Sequence, residues 1–179
     1  MKKYIKIIVP LFSIIFIFLC FQTIKKINNK KKSADRINTI PSFSFKLTDG
    51  KDFTKDNLRK NTPTVFVYFN SECEFCQSET AQISDKVDSF AQTQLLFISF
   101  EQPKVIEDFS KKNKLNNYGN IHFLYDRKMD FSKIFDVNTL PSTVIYDNNN
   151  KLIEKIKGPI SAEQLLEMLF PYNNPFNHF

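Results

Sequence analysis

The chain has 179 residues, with 20 Phe, no Trp and only three Gly, a composition typical of one ordered globular domain. Its formal net charge of +6 is unevenly distributed. Residues 1–36 hold nine basic residues against one acid, whereas residues 37–179 hold 16 basic and 18 acidic residues. Because the globular part has no basic surplus to neutralise phosphates, the composition argues against a nucleic-acid partner.

An uncharged, strongly apolar segment, residues 7–21, follows three lysines near the N-terminus. Its length lies between the core of a cleavable signal and a full span of ~20 residues, and no small-x-small cleavage site follows it. We therefore expect residues 1–24 to be an uncleaved membrane anchor, or signal-anchor. The competing interpretation is a lipoprotein acylated at Cys20, but bulky Phe18 and Leu19 stand where lipoprotein signals normally carry small residues.

Residues 25–40 are rich in Lys and Asn. This composition predicts a basic, solvated linker between the anchor and the folded domain. We place the domain at residues 41–172 and a short C-terminal tail at residues 173–179.

The cysteine pair lies at a predicted strand-to-helix junction. Residues 63–69 form a short apolar run of β-branched and aromatic side chains, as expected of a buried strand. A helix is predicted beyond it, because apolar residues recur at helical spacing from Cys76 onward. A helix N-terminus presents unpaired N–H groups and a partial positive charge, which stabilise a thiolate over a thiol.

The two thiols are expected to have unequal roles. Cys73, nearer the helix start and the solvent, should attack, and Cys76, one turn later and more buried, should resolve the mixed disulfide. Glu72 and Glu74 flank Cys73 and oppose thiolate formation, so any lowering of its pKa should be modest. Glu79 shares a helix face with Cys76, either as a solvated helix acid or as an acceptor for the Cys76 proton.

The remaining pattern predicts an α/β sheet. Strands are expected at residues 42–47, 51–53, 94–100, 120–125, 142–147 and 151–156. Helices are expected at residues 103–115, at residues 129–135 and from Ser161, where Gln164 completes a capping box. In the first of these helices, Val105 and Phe109, with Ile106 as a further candidate, are expected on one apolar face directed at the core. This order predicts a central mixed sheet flanked by helices on both faces.

The order of these elements around Cys73-Glu74-Phe75-Cys76, followed by Leu140-Pro141 at a hairpin that closes at Gly158, resembles the thioredoxin fold over residues 41–170. More narrowly, it resembles the membrane-anchored thiol-disulfide oxidoreductases of the TlpA and ResA type, which are related to the AhpC/TSA proteins. The resemblance implies an α/β thioredoxin fold with an N-terminal β-hairpin extension, and a redox-active disulfide between Cys73 and Cys76. It implies no cofactor.

The resemblance also implies further site residues. The family proline that matches Pro141 is cis and lies against the active-site disulfide, so Leu140 would offer its backbone to an extended substrate peptide. Phe75 would also contact the substrate, at a position where many members carry Pro. Glu79 matches a family glutamate near the buried cysteine, and Val67 stands where ordinary thioredoxins hold a buried aspartate. The implied partners are protein or peptide disulfides and a membrane or periplasmic electron donor.

Two other functions remain open. Peroxiredoxin-like peroxidases share the fold, but they place Pro and Thr seven and three residues before the reactive cysteine, where this chain has Phe66 and Asn70. A Sco-like copper carrier would use the thiolates and His122 as soft ligands. Such carriers have three residues between their cysteines and this chain has two, and a packed strand histidine is the simpler interpretation of His122.

Two structural interpretations of the cysteine pair are weaker. A zinc site would need a second pair of ligands of the same kind, and the sequence has no second Cys pair, so we expect no metal. A structural disulfide between Cys73 and Cys76 is the other alternative. A disulfide that closes so short a loop contributes little stability, however, and is better suited to redox exchange.

The basic residues on either side of residues 7–21 bear on the orientation of this segment in the membrane. Three lysines precede it and six basic residues follow it by residue 36, which on count alone would keep the domain in the cytoplasm. We nevertheless expect the domain to lie outside the cytoplasm, in the bacterial periplasm. Extracytoplasmic redox proteins need an anchor to stay near their electron donors, and a cytoplasmic relative has little use for one.

Overall fold

The computed structural model describes residues 36–171, together with residues 18, 21–23 and 25. The chain divides into two compact units, residues 1–36 and 37–179. Most of the predicted anchor, with Cys20, and the predicted tail lie outside the described residues. Among the residues that are described, no helix combines the length and the apolar character that crossing a membrane requires.

Seven strands form one mixed sheet in the described part of the chain. They are β1 (Ser44–Leu47), β2 (Asp52–Thr54), β3 (Thr64–Tyr68), β4 (Gln94–Ser99), β5 (Ile121–Tyr125), β6 (Ser142–Tyr146) and β7 (Leu152–Lys157). Their order is β2-β1-β5-β4-β3-β6-β7. The central strands β3, β4 and β5 are parallel, and the other pairs are antiparallel. The predicted mixed sheet, with its N-terminal hairpin, is confirmed.

Four α-helices join or follow these strands within residues 36–171. They are α1 (Glu74–Asp85), α2 (Pro103–Lys112), α3 (Phe131–Ile134) and α4 (Ala162–Leu169). Parallel strands need crossover connections, which α1 and α2 supply. Ser161 and Gln164 form the predicted capping box at the start of α4.

Side chains of the inner strands alternate between two buried cores, one on each face of the sheet. In β3, Val65 and Val67 enter one core, and Phe66 and Tyr68 enter the other. The first core, which we call the helical face, is covered by α1, α2 and α4. The second, which we call the aromatic face, is covered by α3 and by the chain around Phe43. The sheet therefore carries helices on both faces, as predicted.

Helix α2 corrects one core prediction. Val105 is 39% exposed, whereas Ile106 and Phe109 are buried against the helical face. The helix also ends at Lys112, because Lys114 takes a left-handed conformation with φ of 56° that the helix cannot continue. The prediction of Val105 as a core residue was therefore wrong.

Residues 37–40, which the sequence analysis placed in the linker, pack against the domain. Ile37 and Ile40 are buried, and the Tyr146 hydroxyl donates to the carbonyl of Ile37 at 3.0 Å. Tyr146 pairs with Thr64 at the start of β3, whereas Cys73 follows the other end of that strand. The chain thus enters the domain at the end of the sheet away from the cysteines.

Candidate active site

Cys73 lies at the N-cap of α1, beyond the carboxyl end of the central strand β3. Its sulfur accepts a hydrogen bond from the backbone N–H of Cys76, with 3.4 Å between nitrogen and Sγ. An N-cap side chain normally satisfies one of the unpaired N–H groups of the first helical turn, and here a sulfur does so. The residue is partly exposed. Its thiol is therefore accessible to a substrate and lies at the end of the helix dipole that favours negative charge.

Cys76 lies in the first turn of α1 and is only 1% exposed. Burial raises the pKa of its thiol to about 12, with the neighbouring Cys73 sulfur as a further cause and the charge of Glu79 as the smallest. Both residues are thiols in this structure. The structure thus brings together one accessible and one buried thiol, in the arrangement that the sequence predicted.

Glu79 lies on α1, one turn after Cys76, and is 1% exposed. Its Oε1 accepts a hydrogen bond from the Thr143 hydroxyl at 2.8 Å, and its Oε2 accepts one from the Ile160 N–H at 3.4 Å. Burial raises the pKa of this carboxyl to about 7, against the opposing effect of the two hydrogen bonds. The side chain is therefore not a solvated helix acid. Its part in proton transfer stays a prediction.

Thr143 is a site residue that the sequence analysis missed. It pairs with Val67 across the antiparallel β3–β6 ladder, and it is fully buried on the helical face. Directly opposed residues share a face of the sheet. The available signal was a polar side chain two residues after Pro141, in a strand predicted to be buried, but its partner Glu79 is 64 residues away in sequence.

The peptide bond between Leu140 and Pro141 is cis, as the resemblance implied. Leu140 is partly buried and lines a cavity of about 410 Å³. The other residues that line the cavity are Tyr68, Phe100, Ser132, Val137, Asn138 and Thr139. Phe75 is 63% exposed and does not line it. Of the three residues predicted to contact substrate, Leu140 lines this cavity, whereas Pro141 and Phe75 do not.

His122 lies on β5 and packs its ring against Phe53, with 4.9 Å between ring centroids. Burial and the nearby Arg59 lower the pKa of this imidazole. Within the described ranges, no group of three or more His, Cys, Asp or Glu side chains is placed to hold a metal ion. The structure thus does not bring His122 to the cysteines as a third ligand.

Residues 37–155 match the model of the AhpC/TSA family. The chain is also 29% identical over 132 residues to the sporulation thiol-disulfide oxidoreductase A of Bacillus subtilis (strain 168), an alignment that covers 70% of this chain and 76% of the relative. The sequence predicted the same class of protein, a thiol-disulfide oxidoreductase.

Two solved structures show the same fold. The crystal structure of StoA from Bacillus subtilis superposes with a TM-score of 0.57 and 25% identity, over 73% of this chain and 98% of StoA. Peroxidoxin BcpB from Mycobacterium tuberculosis superposes with a TM-score of 0.64 and 17% identity, over 76% of this chain and 96% of BcpB. The second likeness shows the fold alone.

The thioredoxin-like resemblance and the expected class of enzyme, a thiol-disulfide oxidoreductase, are thereby confirmed. The family match spans most of the compact unit that begins at Ile37 and includes both cysteines. This chain belongs to the AhpC/TSA family.

Proposed function

We propose that this protein reduces disulfides in protein or peptide substrates by forming a disulfide between Cys73 and Cys76. The observation that carries this proposal is the difference in access between the two thiols within one helical turn. Cys73 is partly exposed at the N-cap, and Cys76 is buried behind it with its N–H directed at the Cys73 sulfur. A nucleophile and a resolving thiol need these two environments.

The reaction proceeds in two exchanges. The Cys73 thiolate attacks one sulfur of the substrate disulfide, forming a mixed disulfide and releasing the first substrate thiolate, which takes up a proton. Cys76 then loses its proton and attacks Cys73 Sγ, so that the Cys73–Cys76 disulfide forms and the second substrate thiolate leaves. The substrate gains two electrons and the cysteine pair loses two. An external dithiol donor must then restore both thiols.

Glu79 accepts the proton of Cys76 in the second exchange. A thiol whose pKa is raised to about 12 is almost fully protonated at neutral pH. A carboxyl whose pKa is about 7 is half ionised there, so it can both receive and release a proton. Residues three apart on a helix share a face, which places the carboxyl on the side of Cys76.

Substrate contacts fall on the surface next to Cys73. The backbone of Leu140, held beside the cis bond to Pro141, aligns an extended peptide with the cysteine pair. The exposed ring of Phe75, within the cysteine motif itself, adds apolar contact to the same peptide. These roles rest on the family resemblance and, for Phe75, on its exposure.

The domain acts outside the cytoplasm, held by an uncleaved anchor at residues 7–21, near a membrane-bound or periplasmic electron donor. The uncharged segment supports this location and the basic flank after it opposes it. Protease added to spheroplasts should degrade the domain. Protection of the intact domain until the membrane is permeabilised would place it in the cytoplasm.

The activity itself is tested with the reduced protein and insulin, whose interchain disulfides report reduction by precipitation. Wild type should reduce insulin in the presence of a dithiol donor, and Cys73→Ser should not. A reduction potential of about −270 mV would match a reductant, and one of about −120 mV an oxidant. If the protein instead consumes hydrogen peroxide faster than it reduces insulin, the peroxidase alternative is favoured.

A further inference from the structure

The carboxylate of Glu101, outside the cysteine motif, accepts hydrogen bonds from the loop that precedes the motif. Ser71 lies between β3 and α1, and Glu101 lies just beyond β4. The Ser71 backbone N–H donates to Glu101 Oε2 at 2.7 Å, and the Ser71 hydroxyl donates to Oε1 at 2.7 Å. Hydrogen bonds to an ionised carboxylate are stronger than neutral ones, and two parallel bonds also fix orientation.

The same contact is supported on both sides. The Ser99 hydroxyl donates to Glu101 Oε2 at 3.0 Å and accepts from the Glu101 N–H at 3.2 Å. Ser99 is fully buried at the end of β4. On the other side, the Gln77 side-chain amide donates to the Ser71 carbonyl at 2.6 Å. The N–H, hydroxyl and carbonyl of Ser71 are all bonded, and the loop is tied both to β4 and to α1.

The loop in turn sets the position of the attacking cysteine. The Cys73 N–H donates to the Asn70 carbonyl at 3.2 Å, and the Glu72 N–H donates to the Asn70 side-chain oxygen at 2.9 Å. Ser71 is thus enclosed in a turn whose last residue is Cys73. A shift of Ser71 moves the N-cap of α1, and with it the Cys73 sulfur relative to Cys76.

We propose that Glu101 is a positioning residue for the second exchange, the attack of Cys76 on Cys73 Sγ. It holds Ser71 so that the Cys73 sulfur, once in a mixed disulfide, remains within reach of the buried thiol. Misplacement of a reacting group by about 1 Å can cost orders of magnitude in rate. This inference rests on the proposed function, because it assigns a residue to one step of that exchange.

The two exchanges can be measured separately with a chromogenic aryl disulfide. Attack by Cys73 releases one aryl thiolate in a bimolecular step, and closure of the Cys73–Cys76 disulfide releases the second in a unimolecular step. We expect Glu101→Ala to slow the second release about tenfold, with the first release changed much less. Glu101→Gln should restore the second release, because its amide oxygen can accept from the Ser71 N–H while its NH₂ donates to the hydroxyl.

Two further variants separate positioning from general loss of stability. Ser84→Ala removes a bond of similar kind, from the Ser84 hydroxyl to the Asn113 carbonyl at 2.7 Å, near the far end of α1. Like Ser71→Ala, it removes one hydrogen bond made by a serine hydroxyl, and it should leave both releases unchanged. Ser71→Ala removes one of the two bonds to Glu101, so it should slow the second release by a smaller factor, and it serves if Glu101→Ala does not fold.

The outcomes are distinct. If the wild-type protein releases only one aryl thiolate, the proposed function fails, and the role of Glu101 fails with it. If the wild type releases both, and both Glu101→Ala and Ser71→Ala close the disulfide at the wild-type rate, only the positioning role is overturned. A second release as slow in Glu101→Gln as in Glu101→Ala would also overturn it, because the effect would then follow the charge and not the bonds.

Discussion

The two faces of the sheet use the same strands for different purposes. The aromatic face is filled by rings, among which Phe66 contacts Phe43, Phe131, Phe135 and Tyr146 with centroids 4.7 to 6.2 Å apart. Contacts of this kind contribute packing energy beyond the area they bury. This face has the properties of an aromatic core, and its cluster includes neither cysteine of the motif.

The helical face is also buried, but it contains the Cys76 thiol, the Glu79 carboxyl and the Thr143 hydroxyl. Burying a carboxyl costs free energy, which two hydrogen bonds only partly offset. Packing on the aromatic face therefore contributes stability that offsets the free-energy cost of burying polar groups on the helical face.

Phe66→Ala should produce the largest loss of stability, about 3 to 5 kcal/mol, because it removes a fully buried ring from the aromatic face. Phe66→Leu, which keeps most of the volume, should cost much less. Urea unfolding measures both. Below the unfolding transition, the alkylation rate of Cys73 should match that of wild type. A large change in that rate would show that the two faces are not separate in function.

Glu79→Gln should change how stability depends on pH. The folded state raises the pKa of Glu79 from 4.5 to about 7, so it binds this proton more tightly than the unfolded state does. That contribution to folding is complete below pH 4.5 and is lost as the pH rises through about 7. The wild type should therefore lose about 3 kcal/mol between pH 4.5 and 8 relative to the variant.

The measurement is the free energy of unfolding in urea at several pH values. Glu74→Gln is the matched control, because it neutralises an exposed acid on the same helix. Its curve should run parallel to that of wild type over this range. Parallel curves for wild type and Glu79→Gln would mean that the Glu79 carboxyl titrates in the folded protein as it does in water.

Thr143→Val should have a smaller effect, about 1 kcal/mol, because it removes one hydrogen bond at nearly constant volume. The Thr143 hydroxyl lowers the pKa of Glu79, so that pKa should rise further above about 7 in the variant. Carboxyl ¹³C NMR can follow it. Thr80→Val is the control, since the Thr80 hydroxyl has no hydrogen-bond partner among the described residues. If both variants move the titration equally, the Thr143 bond is not the cause.

Much of this architecture could be predicted from periodicity. The continuous apolar run of β3 indicates a strand buried on both faces of the sheet, and the spacing from Cys76 to Ile83 indicates the buried side of α1. The environment of Glu79 could not be predicted, because its partners Thr143 and Ile160 are 64 and 81 residues away. Such contacts follow from strand register and helix packing, which a local pattern does not specify.

The hydrogen bonds between Ser71 and Glu101 could not be predicted for the same reason. The two residues are 30 positions apart, and neither has a distinctive sequence signal. The position of Val105 was missed for another reason, since it neighbours Ile106 on α2 and both are β-branched and apolar. Residue type alone does not distinguish Val105 from Ile106. In the folded protein, Ile106 packs against the sheet and Val105 is left partly exposed.

The central claim is that Cys73 attacks and Cys76 resolves. It is tested most directly by mixing Cys73→Ser and Cys76→Ser separately with disulfide-bonded proteins and quantifying the mixed disulfides on non-reducing gels. We predict that Cys76→Ser accumulates mixed disulfides on Cys73, because the resolving thiol is gone, and that Cys73→Ser accumulates almost none, because Cys76 is buried and protonated. Equal accumulation in the two variants would contradict the account.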